Sequence, residues 1–396
     1  MRSRGVILSV VLVLLAEIPL LIPPPFSLTD HLVFWRAGEL VVTGGSPYDM
    51  RAWAETQRAF SSPHLLPFIQ LDHPVWVYPA WTAFLFAPFG LLPAAIGPWA
   101  IDVSYLVVGL LATILFVRAL PQRWRQPAGL AVPIAAMFQP LVIADRDGQF
   151  GAFLLLGAVL VFLGLRDRRA LPLIAGALLL ATKPQLFAVL APVVLLILVR
   201  RRAWGTVLVT TAVLGAVAVA ATFRYPESLA FFARGARDRT AVFATYSTTW
   251  SFAHYFSGDG WPITAVAMAA LAIVAIVGGV RRLPNDLRLA GVVSGAIAAS
   301  IVITPVDMHY DQVPLILMIV LAVAVARHPM QLATVWAAAV VVPWLLEFAG
   351  LFIGGADSQA LSGGVPLLIA LAFYAAAARS SVPRTAPSLM AARAPA

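Results

Sequence analysis

Apolar runs follow one another along nearly the whole chain, parted by short polar or basic connections. A bilayer core takes about 20 apolar residues per helical crossing, and about thirteen stretches approach that length. They fall at 6–22, 76–93, 97–118, 128–144, 149–165, 170–182, 185–199, 205–222, 262–280, 287–303, 312–326, 331–350 and 363–379. The pattern predicts an all-α, polytopic transmembrane helical bundle. Val6–Ile22 follows Arg2 and Arg4 and reads as an uncleaved first span, being longer than a signal-peptide core and lacking a small-x-small cleavage site.

The basic residues orient this bundle, because Lys and Arg in short loops stay on the cytoplasmic side. The clusters Arg118/Arg123/Arg125, Arg166/Arg168/Arg169, Arg200/Arg201/Arg202, Arg281/Arg282/Arg288 and Arg327/His328 and the tail arginines alternate if 76–93 does not cross. Pro79, Pro88 and Pro93 suit a broken, re-entrant segment there. The expectation is about twelve crossings with both termini cytoplasmic. A single domain then covers residues 1–380, with extracytoplasmic loops at 24–75 and 223–261 and a disordered tail at 381–396. Glu17, Asp102 and Glu347 fall in the outer halves of their spans, which implies a polar cavity opening outward.

Composition agrees with the pattern: 61% of residues are hydrophobic and 11% charged, which leaves no soluble domain. The net charge of +9 comes from clusters scattered between spans, not from one patch, so nucleic acid is not an expected partner. The absence of cysteine removes disulfides, thiolate metal sites and thiol chemistry. No Walker, Rossmann or zincin pattern occurs, so no ATP-driven or soluble-type cofactor chemistry is supported.

Polar residues with chemical capacity gather in the expected outer segments. The first loop reads Ser27-Leu-Thr-Asp30-His31, followed by a short amphipathic helix with Val33, Phe34, Ala37, Leu40 and Val41 on one face, suited to lying on the membrane surface. Asp30 either caps that helix in a Ser27-x-x-Asp30 box or serves as a general base at the mouth of a cavity. Arg224, Arg234, Arg237 and Arg239 break the positive-inside pattern in the second loop. They are either solvated or fork onto a lipid phosphate. Lys183-Pro184-Gln185 interrupts two apolar stretches, so Lys183 either snorkels or sits on a phosphate. Asp145-Arg146-Asp147-Gly148-Gln149 reads as a polar turn at a helix start. Asp307-Met-His309-Tyr310-Asp311 holds potential metal ligands, but residues two apart point to different faces of a helix. A polar or phosphate-contacting His309 therefore competes with a metal site.

Taken in order, these features resemble the GT-C superfamily of membrane glycosyltransferases, and within it the polyprenol-phosphate-mannose-dependent alpha-mannosyltransferases of bacterial cell envelopes. Asp30, Phe34, Ala37, Gly44, Pro47 and Tyr48 resemble the family's acidic residue, aromatics, small residue, glycine and Pro-Tyr. Tyr78-Pro79-Ala80 with Pro88 resembles its Tyr-Pro-Pro turn, one proline being replaced. Gly148-Gln149-Phe150-Gly151 resembles its Gly-Gln-x-Asn turn without the Asn. Lys183-Pro184 fits its Lys-Pro turn, and Thr304-Pro305-x-Asp307-x-His309 is similar, with altered spacing, to its late Ser-Pro…Asp-His motif.

The resemblance implies inverting transfer from a polyprenyl-phosphate sugar to a glycolipid or glycan hydroxyl on the outer face, with no metal, nucleotide sugar or other cofactor. Asp30 inherits the role of base. Lys183, His309, Arg224, Arg234 and Arg237 become contacts to the donor phosphate, and His31, Tyr48, Tyr78, Gln149 and Asp307 contacts to acceptor or sugar. The competing class is a transporter or flippase of lipid-linked saccharides. It also needs charge in an outward cavity, but would be favoured by inverted repeats that the sequence does not display.

Overall fold

The computed structural model describes residues 29–70, 75–241, 248–305, 308–353 and 360–378. The expected first span with Glu17, the Ser27 of the capping box, Asp307 and the 381–396 tail lie outside the described residues, as does the side chain of Arg239. Among the described residues every regular element is helical. Helices satisfy their own backbone donors and acceptors, which an apolar surrounding demands.

The chain runs through α1 (Asp30–Val42), α2 (Met50–Phe60), the short α3 (Leu66–Gln70), α4 (Ala80–Gly90) and the long α5 (Gly97–Ala119). Short helices α6 (Gln122–Ala128), α7 (Ala131–Ala136) and α8 (Gln139–Asp147) lead to α9 (Gly151–Asp167), α10 (Ala170–Leu180) and α11 (Leu190–Arg200). There follow α12 (Trp204–Arg224), α13 (Ser228–Ala241), α14 (Thr249–Ser257), α15 (Trp261–Arg282) and α16 (Arg288–Ile303). A 3-10 turn over His309–Leu315 then leads to α17 (Ile316–Val325), and α18 (Pro329–Trp336), α19 (Val342–Ile353) and α20 (Val365–Ala378) complete the fold.

Among the described residues six helical stretches are long and apolar enough to cross a membrane: Gly97–Ala119, Trp204–Arg224, Thr249–Arg282, Asn285–Ile303, Pro329–Gly350 and Leu361–Ala378. Shorter apolar stretches occupy Ala80–Gly90, Ala170–Leu180, Pro184–Arg200 and His309–Val325. At 11 residues α4 measures roughly 17 Å, well short of the ~30 Å hydrocarbon core. The interior is built around α17, in which every residue is buried, with α20, α6 and α16 against it. By contrast α12 leaves nearly all of its apolar surface open, as a helix facing lipid would.

Three local expectations change. The 128–144 stretch is not one helix: Phe138 is extended, and Pro140 near the first position of α8 restarts the chain in a new direction. The Asp145–Gln149 turn closes a helix where a helix start was expected, with Gly148 in the left-handed region at φ +78°. Finally, α1 does not expose a polar face along a surface. His31, Leu32, Trp35 and Gly38 are buried along with Phe34, Ala37 and Leu40.

The reason is the depth at which α1 packs on α4 and α5. A Cβ on Gly38 would lie 2.1 Å from the Phe86 carbonyl oxygen, so the two backbones touch there. Trp35 donates from Nε1 to the Leu92 carbonyl at 3.0 Å. Phe34 is wedged among Phe86, Phe150, Tyr78 and Trp76 at ring-centroid distances of 4.5, 5.3, 5.4 and 5.7 Å. Aromatic pairs of this kind contribute about 0.5–1.5 kcal/mol each beyond their packing area. That anchorage fixes where the first residue of α1 points.

Candidate functional site

Asp30 opens α1. Thr29 before it is extended, so the helix starts abruptly, and a carboxylate in the first turn is favoured by the exposed N–H groups. Among the described residues its oxygens do not fold back as a cap. Oδ1 accepts from His64 Nε2 at 2.7 Å, and Oδ2 accepts from the Gln149 amide. The carboxylate remains about a quarter exposed, so it is held firmly and still reachable.

Each partner is itself held. Ser61, left-handed at φ +49°, stops α2, and the buried Ser62 and Leu65 pin the turn that carries His64. Gln149 is buried between α8 and α9, its N–H donating to the Ala144 carbonyl at 2.7 Å. Gly148 makes that turn possible, since a Cβ there would stand 2.4 Å from the His31 backbone nitrogen. Burial alone would push the His64 pKa down. The hydrogen bond and charge of Asp30, joined by the charge of Asp147, outweigh it and hold the imidazole above the usual histidine value.

A second group of charges adjoins the first. The Tyr78 hydroxyl donates to Gln149 Oε1 at 3.4 Å, and the Tyr78 ring stands 5.9 Å from the Lys183 ammonium. Lys183 is buried where Pro184 begins a 3-10 turn between α10 and α11. Its Nζ donates to the buried Asp311, and the rings of Tyr310 and Phe150 lie 5.0 and 5.2 Å from it. An ammonium out of water is costly without such partners. His309, on the same 3-10 turn as Asp311, places Nε2 3.7 Å from Asp147 Oδ2. Asp30, Gln149, Tyr78 and Lys183 thus form a continuous chain of contacts, with His309 reaching it through Asp147, whose charge also acts on His64.

His31 lies behind this chain, fully buried. Thr29 Oγ1 is 2.9 Å from its Nδ1 and Asp102 Oδ1 is 3.3 Å from its Nε2, so it ties the start of α1 to α5. Asp102 finds its partner here, while Glu347 accepts from Gln139 at 3.0 Å. Tyr48 is also buried, donating to the Tyr78 carbonyl at 2.7 Å. Arg224 donates to the Gly44 carbonyl at 2.7 Å, and Ser46 donates to Glu227, which joins the first loop to the end of α12 and the start of α13. Arg234 covers the Phe231 ring at 5.4 Å, and that ring packs on Tyr48 at 5.7 Å. Arg224, Arg234 and Arg237 are all exposed.

The structure therefore brings Asp30, Tyr78, Gln149, Lys183 and His309 into one connected group. His31 and Tyr48 serve it as buried supports, and the three arginines lie along its flank. Asp307 lies outside the described residues. Sequence reasoning missed two members. His64 sits in a turn with no periodicity, 34 residues from its partner, and left no local signal. Asp311 was visible in the Asp-x-His-x-Asp run, but its pairing with a lysine 128 residues away was not.

Residues 76–305 match the family model for glycosyltransferase family 87. No curated protein and no solved structure matches the chain. The matched range contains Tyr78, Gln149, Lys183 and the three arginines. Asp30, His309 and Asp311 flank it and meet it through side-chain contacts, and His64, also outside it, is joined to it through Asp30.

Proposed function

Because the chain belongs to glycosyltransferase family 87 and is a membrane glycosyltransferase, we propose that it moves a hexose, mannose in the first instance, from a polyprenyl phosphate to a hydroxyl of a lipid or glycan acceptor. The observation that carries this reading is Asp30: a reachable carboxylate with both oxygens held, linked through Gln149 to Tyr78, whose ring faces a buried ammonium.

In the proposed step the acceptor oxygen attacks the anomeric carbon from the side opposite the phosphate, and its proton passes to Asp30. The electrons of the broken carbon–oxygen bond leave with the lipid phosphate. Cations must meet the charge that develops there. An ammonium has three donors, and Asp311 occupies one of those on Lys183, which leaves it capable of holding a phosphate oxygen. His309 and the flanking Arg224, Arg234 and Arg237 are the further contacts in this scheme. His31, Tyr48, Tyr78, Gln149 and Asp307 are assigned to the acceptor and sugar, His31 and Tyr48 acting from behind by holding α1 and the Tyr78 turn.

A donor with its phosphate at the lipid boundary calls for a site at the end of the bundle. We therefore place this reaction on the extracytoplasmic face of the cell membrane, with about twelve crossings and both termini cytoplasmic. The alternating arginine clusters and the shortness of α4 support that topology.

The test is transfer by the purified chain in lipid vesicles, offered polyprenyl-phosphate mannose in one arm and a nucleotide sugar in the other. Transfer from the lipid-linked sugar alone is expected. Transfer from the nucleotide sugar alone would overturn the donor assignment, and lipid translocation without transfer would favour a transporter.

A further inference from the structure

His64 has no place in the scheme above, yet it is the residue that most directly touches the proposed base. Its Nε2 stands 2.7 Å from Asp30 Oδ1, while Gln149 holds the other oxygen. A buried amide alone would suffice to orient a carboxylate. An imidazole adds something an amide lacks, a second protonation state within physiological pH.

Resting on the reading of Asp30 as the base, we propose that His64 is a positioning residue that sets the basicity of Asp30 and thereby governs the acid limb of sugar transfer. As a neutral imidazole it donates one hydrogen bond and leaves the carboxylate its charge and proton affinity. As an imidazolium it places a full positive charge against the same oxygen, which makes Asp30 a weaker acceptor for the hydroxyl proton.

The surroundings of the ring support this. Among the described residues the charged groups facing it are Asp30 from α1 and Asp147 from the end of α8, and the Phe68 ring of α3 packs at 6.1 Å. Both facing charges are negative, so the imidazolium persists to higher pH than in water. The His64 side chain is 30% exposed, so protons reach it from the aqueous side. Stability and activity should move in opposite directions. His64 gains its partner on folding, so its contribution to stability is complete below the ordinary histidine value of about 6.5 and fades as pH rises through the raised folded value. Activity rises over that same window.

The experiment is steady-state mannosyl transfer from polyprenyl-phosphate mannose between about pH 5 and 8.5, using the full chain in vesicles as wild type, His64→Gln, His64→Ala, His309→Gln and Asp30→Asn. The glutamine amide places an N–H where Nε2 stood and cannot titrate. Wild type is expected to show an acid limb centred above the ordinary histidine value. His64→Gln should keep the donor KM and most of the plateau rate but lose that limb. His64→Ala should lower kcat by roughly ten- to hundredfold, part of the roughly 10²- to 10⁴-fold that a positioned base supplies. A limb that persists unchanged in His64→Gln, or that vanishes in His309→Gln instead, overturns the proposal while Asp30→Asn still identifies the base. A wild type that transfers no lipid-linked sugar at all overturns the reading of the reaction, and the proposal with it.

Discussion

Helix α9 lies between two groups of charged side chains, one beyond its N-terminal end and one at its C-terminal end. Beyond its N-terminal end the polar groups come from remote parts of the chain: the Gln149 amide meets the Asp30 carboxylate across 119 residues, and Lys183 meets Asp311 across 128. At its C-terminal end Arg166 pairs with the adjacent Asp167 and donates to the carbonyl of Ala119 at the end of α5. Arg123 nearby forks onto Asp286 with bonds of 3.0 and 2.7 Å. The side chains of Lys183 and Asp311 are 6% and 3% exposed, whereas those of Arg166 and Asp167 are each 37% exposed. Ion pairs in water cost the chain little and contribute little. Charges buried among aromatic rings persist only when every one is partnered, and such an arrangement marks a site in a way that charge alone does not.

The contrast can be broken most forcefully at Lys183. Lys183→Met strands the Asp311 carboxylate and should destabilise the fold by about 3–5 kcal/mol, measured by denaturant unfolding in detergent. Pairing it with Asp311→Leu should recover most of that loss without restoring transfer. Recovery of transfer would make the pair purely structural.

Gly148→Ala is expected to be the next largest. Its left-handed backbone carries a penalty of about 1–2 kcal/mol for a Cβ, and the methyl would press on the backbone of His31. Transfer should fall further than stability, because Gln149 and the start of α1 both move. Equal losses would count against that coupling. At the opposite end, Arg123→Ala should shift stability by less than about 1 kcal/mol, diminish further with salt, and leave transfer unchanged.

Much of the fold was legible because lipid leaves a chain few options: apolar runs of sufficient length become helices, and α5, α12, α15, α16 and α20 follow the pattern closely. The breaks were less legible. Pro140 splits an apolar run that periodicity reads as one, and the burial of α1 depends on the backbone contact between Gly38 and Phe86, which pattern does not encode. At the site, Asp30 stood out as an acid at a helix start and Lys183 as a cation beside a proline. His64 did not stand out, since its importance arises only when the turn after α2 folds back over α1.

The central claim is that Asp30 takes the acceptor proton, and its most direct measurement is transfer from radiolabelled polyprenyl-phosphate mannose by wild type and Asp30→Asn, with folding of the variant checked by thermal unfolding. The variant keeps a side chain of the same shape but loses the base, so a folded Asp30→Asn should transfer sugar at least roughly a hundredfold more slowly. A folded variant that transfers at the wild-type rate would contradict the account, leaving Asp30 a structural residue at the head of α1.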